Sequence, residues 1–173
     1  MNKKTALIAL ASILGVVIFD QLTKQLVADA LRLGDSIEII PSFLHITYHI
    51  NTGAAWGMFP GETTFFAIVT VIALVVFGVL AREMHFGTKP FYSIGVALLI
   101  GGTLGNFIDR MVYAYVIDFV DVYIINYNFP VFNIADAALT IGWVLLAIDI
   151  IFYNPKRTDK EKGEISETDD VAS

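Results

Sequence analysis

The 173-residue chain has no cysteine, which excludes disulfides, thiol catalysis, thiolate metal sites and lipid attachment to its own cysteines. Charge is also scarce: Asp, Glu, Lys and Arg make up 16% of residues, against about 25% in an ordinary soluble domain. Histidine is limited to His45, His49 and His85, and no HExxH zinc motif occurs. No serine stands in a nucleophile elbow, which argues against Ser-His catalysis.

What fills the chain instead is apolar. Hydrophobic residues make up 56%, and the mean hydropathy of +0.68 points to lipid as the solvent. Stretches of roughly 20 apolar residues suit a membrane span, and four are read here: 5–28, 63–80, 91–108 and 135–152, the last-named mixed at one end. The first has the Lys3-Lys4 start of a signal peptide. It lacks an A-x-A cleavage site and continues in helical register through Asp20, Gln21 and Lys24, so it reads as a retained span.

Residues 1–153 are expected to form one membrane-embedded domain and 154–173 a disordered cytoplasmic tail, rich in Asp, Glu, Lys, Thr and Ser. Lys3, Lys4, Arg82, Lys89, Lys156, Arg157, Lys160 and Lys162 all fall on one side of the four spans. That side should be cytoplasmic, with the loops after spans one and three facing outward. Between Leu33 and Asn51, β-branched and aromatic residues around Pro41-Ser42 predict short strands or a hairpin at the outer surface. The expected fold class is therefore an all-α four-helix membrane bundle with a small extracytoplasmic sheet after helix 1.

Against this background a few polar residues stand out. Asp118 and Asp136 fall where membrane helices should end, and an ionisable group at membrane depth costs about 2.5 to 3.5 kcal/mol on insertion scales. Two carboxylates brought together cannot both ionise easily, so one can act as general base on a water while the other hydrogen-bonds the carbonyl under attack. Asp136 also lies three residues after Asn133, a plausible N-cap, so it could serve as a cap partner. Asp118 lies in DFVDVYIINYNFPVF, an aromatic segment broken by Asn126, Asn128 and Pro130 that reads as an interface anchor. Asn106 and Arg110 share a helical face, and Gly101 and Gly105 form a GxxxG suited to close helix packing. Asp20 and Lys24 form an i, i+4 pair, expected to be structural.

Other chemistries remain open at this point. Asp118, Asp121 and Asp136 with His45 or His49 could in principle hold a metal. Intramembrane acids also mark proton- or ion-coupled transporters, although these acids cluster at one rim and no internal repeat is visible. A noncatalytic scaffold would explain the GxxxG and leave Asp118 and Asn106 without a purpose. His85 and Asp149 are assigned no role; the first is read as solvated in a cytoplasmic loop, the second as reaching the headgroups.

Taken together, Asp20-Gln-Leu-Thr-Lys24, Asn51-Thr-Gly-Ala-Ala-Trp56, Gly105-Asn-Phe-Ile-Asp-Arg110, Val116-Ile-Asp-Phe119 and Phe129-Pro-Val-Phe-Asn-Ile-Ala-Asp136 resemble the blocks of the lipoprotein signal peptidase (signal peptidase II) family. The resemblance covers the chain up to its tail. It implies an aspartyl endopeptidase of the bacterial inner membrane that cuts prolipoproteins before a diacylglyceryl-modified cysteine. Asp118 and Asp136 would be the catalytic dyad. Asn51, Gly53, Asn106, Asp109, Arg110 and Asn133 would hold substrate or order the dyad, with Asp109 supporting Arg110. The resemblance also implies inhibition by globomycin-type compounds. No metal, other cofactor or nucleic-acid partner is expected, and the protein is expected to be a monomer among membrane lipid. His49 and Ile50 precede Asn51 where many relatives carry other residues.

Overall fold

The computed structural model describes residues 2–53, 63–125 and 127–153. Helix α1 spans Lys3–Ala30, strands β1 and β2 span Ser36–Ile40 and Leu44–Asn51, and helices α2 and α3 span Thr63–Ala81 and Pro90–Tyr113. Strands β3 (Val116–Ile124) and β4 (Tyr127–Asn128) follow, then α4 (Ile134–Ile148), which runs on into a π-helical turn at Asp149–Tyr153. Among the described residues four helices are thus long and apolar enough to cross a membrane.

The helix ends have local causes. The Asn2 side chain accepts from Thr5 N–H at 2.8 Å and caps α1. Pro90 occupies the first turn of α3, where its missing N–H costs nothing. Ala114 ends α3 in the left-handed region (φ 64°). Helix α3 thereby extends five residues past the expected Ile108 and carries Asp109 and Arg110, in keeping with the helical face expected for Asn106 and Arg110.

Packing turns the usual pattern inside out. The outer faces of α1 and α2 expose Leu10, Leu14, Leu22, Ile68, Ile72 and Val75, as lipid contact requires. The inside of the bundle holds Val96 and Leu99, both fully buried, and a set of glycines. A Cβ on Gly101 would lie 2.8 Å from the Val16 side chain of α1, and one on Gly102 would lie 2.5 Å from the Ala135 carbonyl of α4. Gly95 and Gly142 make the same close approach between α3 and α4, since a Cβ on either would lie 2.9 Å from the other's carbonyl oxygen. Small residues let these backbones touch, so the packing role expected for the GxxxG holds for Gly101.

The all-α expectation needs correction. The sheet after α1 is present, but it has four antiparallel strands in the order β1-β2-β3-β4, and half of them come from the segment after α3. The aromatic stretch at 118–132 is not a simple interface anchor. Its first part belongs to β3, VIDFVDVYI, which begins two residues earlier at Val116, is rich in β-branched and aromatic residues and pairs with β2. The expected break does occur: Ile125 takes a positive φ of 56° between β3 and β4, and Phe132 bridges back to Val120. Trp56, Asn126 and the 154–173 tail lie outside the described residues.

Candidate active site

Chain order brings the ends of α1 and α3, the start of α4 and the sheet to one end of the bundle. There Asp118, on β3, is 1% exposed. Its Oδ2 accepts from Asn51 Nδ2 at 3.0 Å and its Oδ1 from Asn133 Nδ2 at 2.7 Å. Asp136, in the first turn of α4, accepts from Asn106 Nδ2 at 2.7 Å through Oδ1 and from the Asn133 N–H at 3.2 Å through Oδ2. Asn133 Nδ2 also reaches Asn106 Oδ1 at 3.1 Å, so two amides join the two carboxylates. Asp136 completes a capping box with Asn133, so the cap role and membership of the acid pair coexist.

The orientation of all three amides follows from their other partners. Asn51 Oδ1 accepts from the Gly53 N–H at 2.9 Å, Asn133 Oδ1 from the Asp136 N–H at 2.9 Å, and Asn106 Oδ1 from Lys24 Nζ at 3.0 Å. Backbone N–H and ammonium groups only donate, so each pins an amide oxygen and turns the NH2 toward a carboxylate. Polar groups buried at this depth need such full pairing.

Lys24 is itself 2% exposed, and its three donors are all used: Asp20 Oδ2 at 2.8 Å, Asp109 Oδ2 at 2.9 Å and Asn106. The expected Asp20–Lys24 pair is therefore part of a larger buried cluster. Asp20 Oδ1 also accepts the Ala135 N–H of α4 at 2.9 Å, and Gly105 makes room for this carboxylate, since a Cβ there would lie 2.6 Å from Asp20 Oδ2. Gln21, whose part was not anticipated, donates to Asp109 Oδ1 at 2.8 Å and to the Gly105 carbonyl at 3.1 Å. Its only sequence signal was its place between Asp20 and Lys24.

Asp109 departs from expectation. Its oxygens are taken by Lys24, Gln21 and the Ile117 N–H, and it is 1% exposed, so it faces α1 and β3 rather than the cavity or the Arg110 head. Neighbouring helix positions point about 100° apart, which separates the two residues. Arg110 instead donates from Nη2 to the Gly53 carbonyl at 3.2 Å and lies over the Phe66 ring, 5.0 Å from its centroid. It ties the end of β2 to α3.

A cavity of about 600 Å³ opens on the pair. Asn51, Asn106, Arg110, Asp118 and Asp136 supply its polar wall, and Phe129, Phe132, Leu139 and Ile141 much of the apolar remainder. These apolar residues carried no signal beyond hydrophobicity. Asn133 stands behind the wall, fully buried. Burial first, and then the charge of Asp136, push the Asp118 carboxyl up to about 7, against the lowering effect of Asn51, Asn133 and Lys24.

The metal alternative fares poorly in this geometry. His45 and His49 stand four apart, a spacing that would unite two rings on a helix, but both lie on β2, across from Asp121 and Asp118 respectively, with a register shift between them. Asp121 turns to Thr47 and Tyr123 instead. Among the described residues no group of three or more His, Asp or Glu could hold a metal ion. Of the residues given no role, His85 is exposed and its Nδ1 caps a turn at Thr88, whereas Asp149 is 3% exposed and does not reach outward as expected.

Fold and site together define a four-helix membrane protein with an amide-held carboxylate pair where a small sheet meets the helices. Its sequence matches the model of the Signal peptidase (SPase) II family over residues 12–152, and the chain belongs to that family. It is 47% identical over 149 residues to a lipoprotein signal peptidase of Staphylococcus aureus, covering 84% of this chain and 89% of the relative. The corresponding protein of Staphylococcus aureus strain JH9 is 46% identical with the same coverage. Among solved structures, a bacterial membrane enzyme obtained by the in meso method at 2.3 Å resolution superposes with a TM-score of 0.76 at 44% identity, covering 83% of this chain and 87% of that one. A second, at 1.9 Å, gives 0.75 at 44% identity, covering 84% and 94%. Membership of a peptidase family leaves the transporter reading without support.

Proposed function

We propose that the chain is an aspartyl endopeptidase of the bacterial inner membrane, which removes the signal peptide from diacylglyceryl-modified prolipoproteins by cutting before the lipidated cysteine. The observation that carries this reading is the convergence of three asparagine amides, each pinned by a donor, on two carboxylates, Asp118 buried and Asp136 half-buried, in one largely apolar cavity. Residues 1–153 are its membrane domain, both ends face the cytoplasm, and the sheet and the acid pair lie at the outer surface. The protein acts as a monomer and is blocked by globomycin-type compounds.

In this mechanism Asp118, raised by burial and by the charge of Asp136, keeps the proton near neutral pH and hydrogen-bonds the scissile carbonyl oxygen. The charged Asp136 takes a proton from a water, whose oxygen attacks the carbonyl carbon. The tetrahedral centre collapses as the C–N bond breaks. The proton held by Asp136 goes to the leaving nitrogen, which becomes the amino group of the lipidated cysteine, and the signal peptide leaves with a new carboxylate. The apolar walls hold water other than the reacting one away from the pair, which strengthens its electrostatics. Lipid-anchored substrate presents its bond at this depth.

The test is reconstitution of the purified protein with a diacylglyceryl-modified prolipoprotein. Wild type should release the signal peptide with or without chelator, and Asp118→Asn and Asp136→Asn should each abolish release while remaining folded. Cleavage retained by either variant would sink the dyad, and loss with chelator restored by a divalent ion would favour a metal enzyme.

A further inference from the structure

A second cavity, of about 280 Å³, adjoins the first. The two share Asn51, Asp118, Pro130 and Val131, so Asp118 stands where they meet. Their walls differ in kind. The larger cavity runs along α4 past Leu139 and Ile141, which places its far end beside the lipid-spanning part of the bundle. Among the described residues the smaller one is lined by no helix: His49, Ile50 and Asn51 come from the end of β2, Thr52 and Gly53 follow it, Asp118 lies on β3, and Pro130 and Val131 precede α4.

Several features make the smaller cavity a shaped, polar recess. His49 pairs across the sheet with Asp118, its ring is exposed, and among the described residues it has no hydrogen-bond partner. The adjoining backbone is fixed rather than loose. Gly53 donates its N–H to Asn51 Oδ1 and its carbonyl accepts from Arg110 Nη2, so one wall is tied to α3. His49 and Thr52 thus offer unclaimed hydrogen-bonding groups beside a reacting bond held at Asp118.

A peptide cut at Asp118 must run in both directions from it. The signal-peptide arm is apolar and suits the lipid-side cavity. The arm beyond the lipidated cysteine belongs to a chain that must leave the membrane, and it meets water. We infer that the smaller cavity is the subsite for the residue immediately after the lipidated cysteine, and that His49 and Thr52 favour a polar, hydrogen-bonding side chain there. The assignment rests on the peptidase reading above and names the part of the substrate that this recess recognises.

The test uses the full chain in detergent micelles and diacylglyceryl-modified prolipoprotein peptides that differ only at that position, carrying Asn, Ser, Asp or Leu. Wild type should cleave the polar substrates with kcat/KM about tenfold above the Leu substrate, the effect of about one hydrogen bond. His49→Ala should bring this ratio toward one, and His49→Gln, which keeps a donor and an acceptor, should restore most of it. Equal ratios in wild type and His49→Ala, with all substrates cleaved, would overturn the subsite. Failure of wild type to cleave any of them would overturn the peptidase reading itself. Because the readout is a ratio between substrates, a general loss of activity in His49→Ala does not imitate the expected result.

Discussion

Asp118→Asn should change stability with a sign that depends on pH. The wild-type carboxyl titrates near 7 in the folded protein against 3.8 for an ordinary aspartate. At about 1.4 kcal/mol per pH unit, that gap is worth about 4 kcal/mol. Because the folded value is the higher one, the folded state binds more protons between these values, and stability falls as pH rises from about 4 to about 7. Asparagine removes this penalty. It also removes one of two acceptor oxygens, which now serve Asn51 and Asn133 separately, and turns an NH2 toward a donor at a cost of about 1 to 3 kcal/mol. At pH 8 the variant should therefore be more stable than wild type by about 1 to 3 kcal/mol. At pH 4, with no penalty left to relieve, it should be less stable by a similar amount. Thermal unfolding of both proteins in detergent at the two pH values measures the difference. An equal difference at pH 4 and pH 8 would refute the claim that burial and Asp136 hold the Asp118 carboxyl high.

Two more predictions concern the groups behind the pair. Lys24→Met leaves Asp20 and Asp109 buried without their cation, which should cost about 3 to 5 kcal/mol and lower the melting temperature. In whatever protein folds, the Asn106 amide loses the group that orients it, so kcat should fall more than KM rises; an unchanged kcat would disconnect Lys24 from the acid pair. Gly105→Ala places a methyl against the Asp20 carboxylate and Ala135, and thermal unfolding should show a loss of about 1 to 3 kcal/mol. A neutral result there would mean that α1 and α3 separate easily.

The parts legible in the sequence were those that follow from composition and short-range spacing. Four spans follow from hydropathy, the Asn133–Asp136 cap from a three-residue offset, and the Asp20–Lys24 pair from an i, i+4 spacing. The meeting of Asp118 with Asp136 was not derivable that way, because it depends on β3 pairing with β2 from 67 residues away and on Asn133 reaching back to β3. The aromatic composition of 118–132 suits both an interface anchor and a strand, and only the partner strand decides between them. Asp109 shows the same limit at closer range. Its neighbour Arg110 was visible in sequence, but Lys24 and Gln21, which claim its oxygens, are contributed by another helix.

The buried charges of the site explain one another when they are followed outward from the carboxylates. Asp118 and Asp136 need donors that cannot rotate away, and asparagine amides supply them only if their oxygens are held. Two of the three oxygens are held by backbone N–H groups close in sequence, Gly53 for Asn51 and Asp136 for Asn133. Asn106 lies within α3, where its local backbone N–H groups serve the helix, so its oxygen needs a donor from elsewhere. Lys24 provides it, and a buried ammonium in turn requires counter-charge, which Asp20 and Asp109 give. Asp20 then uses its remaining oxygen on the first turn of α4, the turn that carries Asp136. The ion cluster between α1 and α3 is therefore tied to the acid pair twice, through the Asn106 side chain and through the backbone of α4.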